Sequence, residues 1–254
     1  MNRIVPFKKN YDLVKTIDQI GLIILYTTAC TTITLITLSC VDKIYFDPLI
    51  DGLNALVTFF SVVYFLSSIA QTLLFPNAEF KRRKDFIDNS FNTNFSDTNS
   101  VDYFTNEEIN HGVYKMGVNC YENAFHSKAV VRGMLPKEIT ITFIIFICIL
   151  ILSITVDKNN FAMFLQIALP FTVILQTTKM LVLYFSVKGI TDEFKSSFVR
   201  GQYPKMEADL VHLVLKYEKA LSWAGLVFSE KVWTKLKDQL ATDWANNKTT
   251  LNIQ

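Results

Sequence analysis

The run QIGLIILYTTACTTITLITLSCV, residues 19–41, contains no charged residue, and its length decides the class of fold. An α-helix rises about 1.5 Å per residue, so about 20 such residues cross the roughly 30 Å of hydrocarbon in a bilayer. Three further runs repeat the pattern. Residues 52–78 and 139–156 carry no charge, and residues 161–187 carry only Lys179. Half of the chain is hydrophobic, 19% is charged, and Phe outnumbers Gly by 21 to 8, a balance foreign to soluble domains of this size. The expected fold is an all-α membrane protein with four transmembrane helices in two hairpins, residues 19–78 and 139–187. Between and after them, residues 79–138 and 188–254 form a helical cytoplasmic layer.

Residues 1–18 place Ile4, Phe7, Tyr11 and Val14 at helical spacing between cations, which suits an amphipathic arm on the membrane surface; a disordered tail is the alternative. A signal peptide competes for residues 19–41, but the apolar run is too long for one. Pro76 is expected to close the second span. Orientation follows from Lys and Arg near the span ends. Arg3, Lys8, Lys9, Lys15, the tetrad Lys81 to Lys84, Lys128, Arg132, Lys137, Lys188 and Lys195 fall on one side, against Lys43 and Lys158 in the short turns. Both termini and the insert are therefore expected in the cytoplasm. A bacterial inner membrane, crossed several times, is the expected location, and the bilayer the first partner.

Polar residues inside spans need partners or water. Asn54, Thr58, Ser61, Ser68 and Thr72 fall on one helical stripe, and Thr172, Gln176 and Lys179 on another. They are either helix contacts, with Lys179 reaching for the interface, or the lining of an aqueous pathway. Four spans enclose little room, so a pathway implies a homo-oligomer, such as a tetramer.

In the insert, Thr105 and Glu108 have the spacing of a capping box, predicting a helix over residues 106–131, with a break at Gly112 as the alternative. Its apolar face would carry Tyr114, Val118, Tyr121 and Phe125, and its polar stripe Lys115, Asn119, Glu122 and His126. With Lys81, Arg82, Arg83 and Lys84, the residues Lys115, Asn119 and His126 form a candidate site for a phosphate-bearing ligand. The rival reading is that the stripe is solvated and that the tetrad only obeys the charge rule for span ends. In the tail, a turn is expected at residues 201–204, followed by two amphipathic helices, the second capped by Ser229, with residues 247–254 fraying. Phosphate-loop, Gly-x-Ser-x-Gly and His-Glu-x-x-His motifs are missing and the cysteines lack paired spacing, so no catalytic set, metal or cofactor is expected. A convergence of His111, Cys120 and His126 is the one metal arrangement worth checking.

The run from Lys81 to Phe91, followed by Tyr103-Phe104, Glu108-Ile109, Gly112-Val113-Tyr114-Lys115 and Asn119-Cys120-Tyr121-Glu122-Asn123, resembles the signature region of the SMODS-associated four-transmembrane effectors of bacterial anti-phage defence. In the tail, Tyr217-Glu218, Gly225, Ser229 and Lys235-Leu236 are similar as well. The resemblance implies an effector acting downstream of a nucleotidyltransferase, whose nucleotide signal leads it to permeabilise the inner membrane and arrest the infected cell. It implies no catalytic residues and does not name the sensing ones.

Overall fold

The computed structural model describes the backbone of residues 4–41, 43–101, 103–155, 161–201 and 205–253, and most of their side chains. The described residues form six α-helices and no strand: α1 Lys8–Val41, α2 Lys43–Phe91, α3 Val113–Thr155, α4 Phe161–Arg200, α5 Lys205–Ala224 and α6 Glu230–Thr250. An isolated bridge joins Ile4 to Val101. Three stretches among the described residues are long and apolar enough to cross a membrane: Lys8–Leu35, Asp47–Phe91 and Thr172–Arg200. The expected span at residues 139–156 is helical as far as Thr155, while Val156 and the turn at 157–160 lie outside the described residues.

The helices divide into two compact units. The apolar unit comprises Leu13–Leu73 and Pro136–Lys179. Its buried apolar cluster is small, built on Leu25, Ile145 and Val173 with Tyr26, Tyr64 and Ile141 against them. Large apolar side chains instead point outward, among them Ile23, Phe59, Phe65, Leu66, Leu73, Phe143 and Leu175. That distribution is the reverse of a water-soluble bundle and fits helices solvated by lipid. Polar contacts join the helices: Gln71 donates to Asp18 (2.8 Å), Tyr26 to Glu138 (3.1 Å), and the Thr142 and Thr177 hydroxyls meet at 2.6 Å.

The polar unit comprises Met1–Asp12, Leu74–Leu135 and Met180–Gln254. It has a conventional core, in which Phe86, Val118, Tyr121, Leu183, Val187, Phe194, Leu210, Tyr217 and Trp244 are buried together. Tyr121 of α3 stacks on Phe194 and Phe198 of α4 at 5.5 Å and meets the Trp244 ring of α6 edge-on at 5.2 Å. Gly117 lets α5 approach α3 closely, since a Cβ there would stand 2.7 Å from the Leu210 Cδ1 atom. Gly201 takes φ 53° and its N–H returns to the Ser197 carbonyl, ending α4 in the left-handed conformation that glycine adopts without strain.

Several sequence expectations are corrected here. The arm is not a separate surface helix, because α1 begins at Lys8 and runs on without a break into the apolar run. Part of the arm's apolar side is covered by protein, Phe7 packing edge-on against Tyr103 and Tyr11 against Phe75, while Ile4 stays exposed. Pro76 does not end α2, which continues to Phe91. The end of the chain is docked rather than frayed, with α6 reaching Thr250 and Ile253 buried. Ser229 caps α6 as expected, its hydroxyl accepting from the Val232 N–H.

Candidate functional site

The insert between α2 and α3 is folded back by two carboxylates of α2. Asp88 accepts the Phe95 and Ser96 N–H groups and the Thr93 hydroxyl, each at 2.7 Å, and Asp85 accepts the Ser100 N–H at 2.7 Å. Chain that would otherwise be free is thereby pinned to the helix it leaves. The Gly112 N–H closes on the Ser90 carbonyl at 2.8 Å, with φ 146° that glycine alone adopts readily.

The expected capping box does not form, and its two members are used elsewhere. Helix α3 begins at Val113 rather than near residue 106. The Thr105 hydroxyl lies 2.7 Å from both carboxylate oxygens of Glu122, and Glu108 pairs with Lys248 of α6 at 2.9 Å. The stripe Lys115, Asn119 and Glu122 is buried instead of solvated. Lys115 donates to Glu107 at 3.1 Å, which also accepts from Asn89 at 2.8 Å. Asn119 donates to Asn89 and accepts from Asn106, both at 2.9 Å, and Asn106 also donates to Glu122 at 2.8 Å. Lys248 donates to the Asn106 side-chain Oδ1 at 3.2 Å. Every link has a partner, which a buried polar network requires. Burial raises the pKa of Glu122 against the opposing hydrogen bonds from Thr105 and Asn106, whereas the hydrogen bond from Lys248 lowers that of Glu108. The network ties α2, the insert, α3 and the tail together within one unit.

A second network lies around the basic tetrad. Arg82 bonds Glu79 at 2.9 Å and Glu218 of α5 at 2.5 Å, while Arg83 bonds Glu218 at 2.7 Å and also reaches the Ser222 hydroxyl. The Tyr11 hydroxyl donates to Glu79. Lys81 bonds Asn10 at 3.2 Å, and the Lys84 ammonium lies 4.8 Å from the Phe80 ring centroid. His126 belongs to neither network. Its ring packs 5.4 Å from Trp233, its Nε2 is buried with no hydrogen-bond partner, and burial lowers its pKa from 6.5 to about 4. The seven candidate ligand residues are thus dispersed over separate environments, and Arg82, Arg83 and Lys115 are already answered by carboxylates of the protein.

Among the candidate pore residues, Thr58, Ser68, Thr72 and Lys179 are exposed, and Asn54, Ser61, Thr172 and Gln176 are half-buried. The hydroxyls of Thr58, Ser61 and Thr72 donate to the carbonyls of Asn54, Val57 and Ser68, four residues back. In α1, Thr27, Thr28, Thr31, Thr34 and Thr37 do the same. These hydroxyls are satisfied within their own helix, so their presence does not by itself demand water.

Among the described residues no group of three or more His, Cys, Asp and Glu is arranged to hold a metal. His111 contacts the Asn89 carbonyl at 3.1 Å and Cys120 is a buried free thiol. Sequence reasoning missed Asn89, Asn106, Glu107, Glu218 and Lys248 as network members. Only the odd density of Asn and Glu near residue 106 hints at them. Comparison with protein-family models, curated proteins and solved structures returned no match for this chain.

Proposed function

We propose that this chain is a non-enzymatic membrane effector of bacterial anti-phage defence. It spans the inner membrane four times in two hairpins, with both termini and the insert in the cytoplasm, and assembles into a homo-oligomeric pore such as a tetramer. A nucleotide signal made by a partner nucleotidyltransferase gates it at the polar unit, and opening disrupts the membrane and arrests the infected cell. The observation that carries this reading is the contrast within one chain: an apolar unit whose outward surface carries a polar stripe on α2, and a polar unit whose buried network ties insert to tail. A network with every partner in place has few arrangements, which suits a two-state control element.

A ligand can move a closed and open balance only by its difference in affinity for the two states. Purified protein in liposomes, assayed for dye leakage, therefore reads both signs. Leakage only on adding the cognate nucleotide marks an activating signal, and leakage suppressed by it marks an inhibitory one. Lys179→Leu is expected to change conductance or toxicity while leaving assembly intact; unaltered activity returns Lys179 to an interfacial anchor.

A second reading is favoured by the locally satisfied hydroxyls of α1 and α2. In it the chain is a membrane-anchored module that recruits a cytoplasmic partner and conducts nothing. It expects no leakage under any condition, including dye entry in cells co-expressing the nucleotidyltransferase.

A further inference from the structure

Some cations of the polar unit are answered by carboxylates of the protein, as Arg82 and Arg83 are by Glu218, Lys216 by Glu193 and Lys248 by Glu108. Lys128 and Arg132 of α3 and Lys188 and Lys195 of α4 form no ion pair among the described residues. Arg132, Lys188 and Lys195 each lie near enough to Lys128 to act on its charge. Lys128 and Arg132 are one helical turn apart, and Lys188, Asp192 and Lys195 share a stripe of α4. The two helices run antiparallel, since Tyr114 meets Phe198 while Tyr121 meets both Phe194 and Phe198. Two turns further along α3, Lys128 therefore comes level with the turn of α4 that starts at Lys188.

The electrostatics agree with that register. Lys128 is half-buried over the Phe125 ring at 5.4 Å. Burial lowers its pKa, with Lys188, Lys195 and Arg132 acting the same way and Asp192 opposing them. Asp192 thus stands near a group of four cations. The stripe also changes character along α4: Phe185, one turn before Lys188, is 63% exposed, and Val182 is 41% exposed. An apolar landing followed directly by unpaired cations matches an amphiphile, whose acyl chain and phosphate lie in that order. A freely soluble phosphate has no use for the apolar half.

We infer that Lys128, Arg132, Lys188 and Lys195 form a binding site at the seam of α3 and α4 for the phosphate of an anionic phospholipid headgroup. Its acyl chain lies along Val182 and Phe185. The inference goes beyond pore gating and holds whether or not the chain conducts. It adds a lipid dependence to whatever the polar unit does.

The test uses the full chain in nonionic detergent, with thermal unfolding followed during titration by short-chain phosphatidylglycerol, short-chain phosphatidylcholine and inorganic pyrophosphate. Phosphatidylglycerol is expected to raise the melting temperature saturably and phosphatidylcholine to leave it unmoved. Arg132→Gln with Lys188→Gln and Lys195→Gln is expected to weaken the apparent affinity by about fivefold per charge removed. An equal charge removed from α6, as Lys231→Gln, Lys235→Gln and Lys237→Gln, is expected to leave it within twofold. Equal losses in both variants reduce the effect to bulk attraction and overturn the site. A shift with pyrophosphate matching that with phosphatidylglycerol overturns the lipid assignment. Should the triple variant of α3 and α4 fail to fold, Lys188→Gln alone and the charge-retaining Lys188→Arg carry the same comparison, since Lys188 is exposed.

Discussion

The Lys115 and Glu107 pair offers a quantitative check on the buried network. The Lys115 side chain is fully buried, while Glu107 is 64% exposed, and their charged atoms stand 3.1 Å apart. An ion pair with one end so deeply placed is asymmetric: its desolvation cost falls on the lysine, and the glutamate offsets it. Glu107→Ala leaves a buried ammonium without its counter-ion and is expected to destabilise the protein by about 3 kcal/mol. Lys115→Met removes the charge together with its desolvation cost and is expected to stay within about 1 kcal/mol of the parent. The double variant should then resemble Lys115→Met alone, a coupling of about 3 kcal/mol between the two positions. Circular-dichroism melts of the full chain in detergent read this as a fall of about 6 °C or more for Glu107→Ala only. Amide exchange over residues 105–119 locates it. If Lys115→Met proves as damaging as Glu107→Ala, and the double variant shows their sum, the buried-charge argument is refuted and the pair is an ordinary stabilising contact.

Three other perturbations test different parts of the polar unit. Gly117→Ala places a Cβ 2.7 Å from the Leu210 Cδ1 atom, so overpacking of about 1–3 kcal/mol outweighs a helix-propensity gain of about 1 kcal/mol. Adding Leu210→Ala should relieve that clash, giving a double variant milder than the sum of the singles in urea unfolding. His126 has a folded pKa of about 4 against an ordinary 6.5, so below pH 6.5 the unfolded chain gains a proton that the folded chain refuses. Stability is expected to hold above pH 6.5 and to fall, by up to about 3 kcal/mol, as pH drops toward 4. His126→Phe should flatten the slope between pH 6.5 and 5, and a slope that persists assigns the effect to another group. Ser229→Ala removes the acceptor of the Val232 N–H and is expected to cost about 1 kcal/mol, with faster amide exchange confined to the first turn of α6.

The residues that the sequence reading placed well share a property: their structural role is decided within a few positions along the chain. An uncharged run long enough to cross a bilayer must be helical there, because every N–H and C=O has to be paired internally. Ser229 needs only the N–H three residues on, and Gly201 only the carbonyl four residues back. Leu210, Val214, Tyr217 and Ala224 are buried along one face of α5 and Leu221 on that face is half-buried, the three- and four-residue spacing of an amphipathic helix.

The misplaced residues needed partners that local spacing does not reveal. Thr105 and Glu108 had the spacing of a cap, but Glu122 and Lys248 compete for them from α3 and α6. Lys115 and Asn119 read as a solvated stripe, yet Glu107, Asn89 and Asn106 arrive from the insert to satisfy them inside the protein. The tetrad followed from charge counting, and only the packing of α5 against α2 showed Arg82 and Arg83 to be answered by Glu218. By itself, then, the sequence determined an all-helical, membrane-type chain with a polar insert and a capped, amphipathic tail, because length and periodicity act through hydrogen bonds and hydration close to each residue. The tertiary structure decided which charges are spent inside the protein and which, as at Lys128 and Lys188, form no ion pair among the described residues, because a charge is neutralised by whatever lies near it in space.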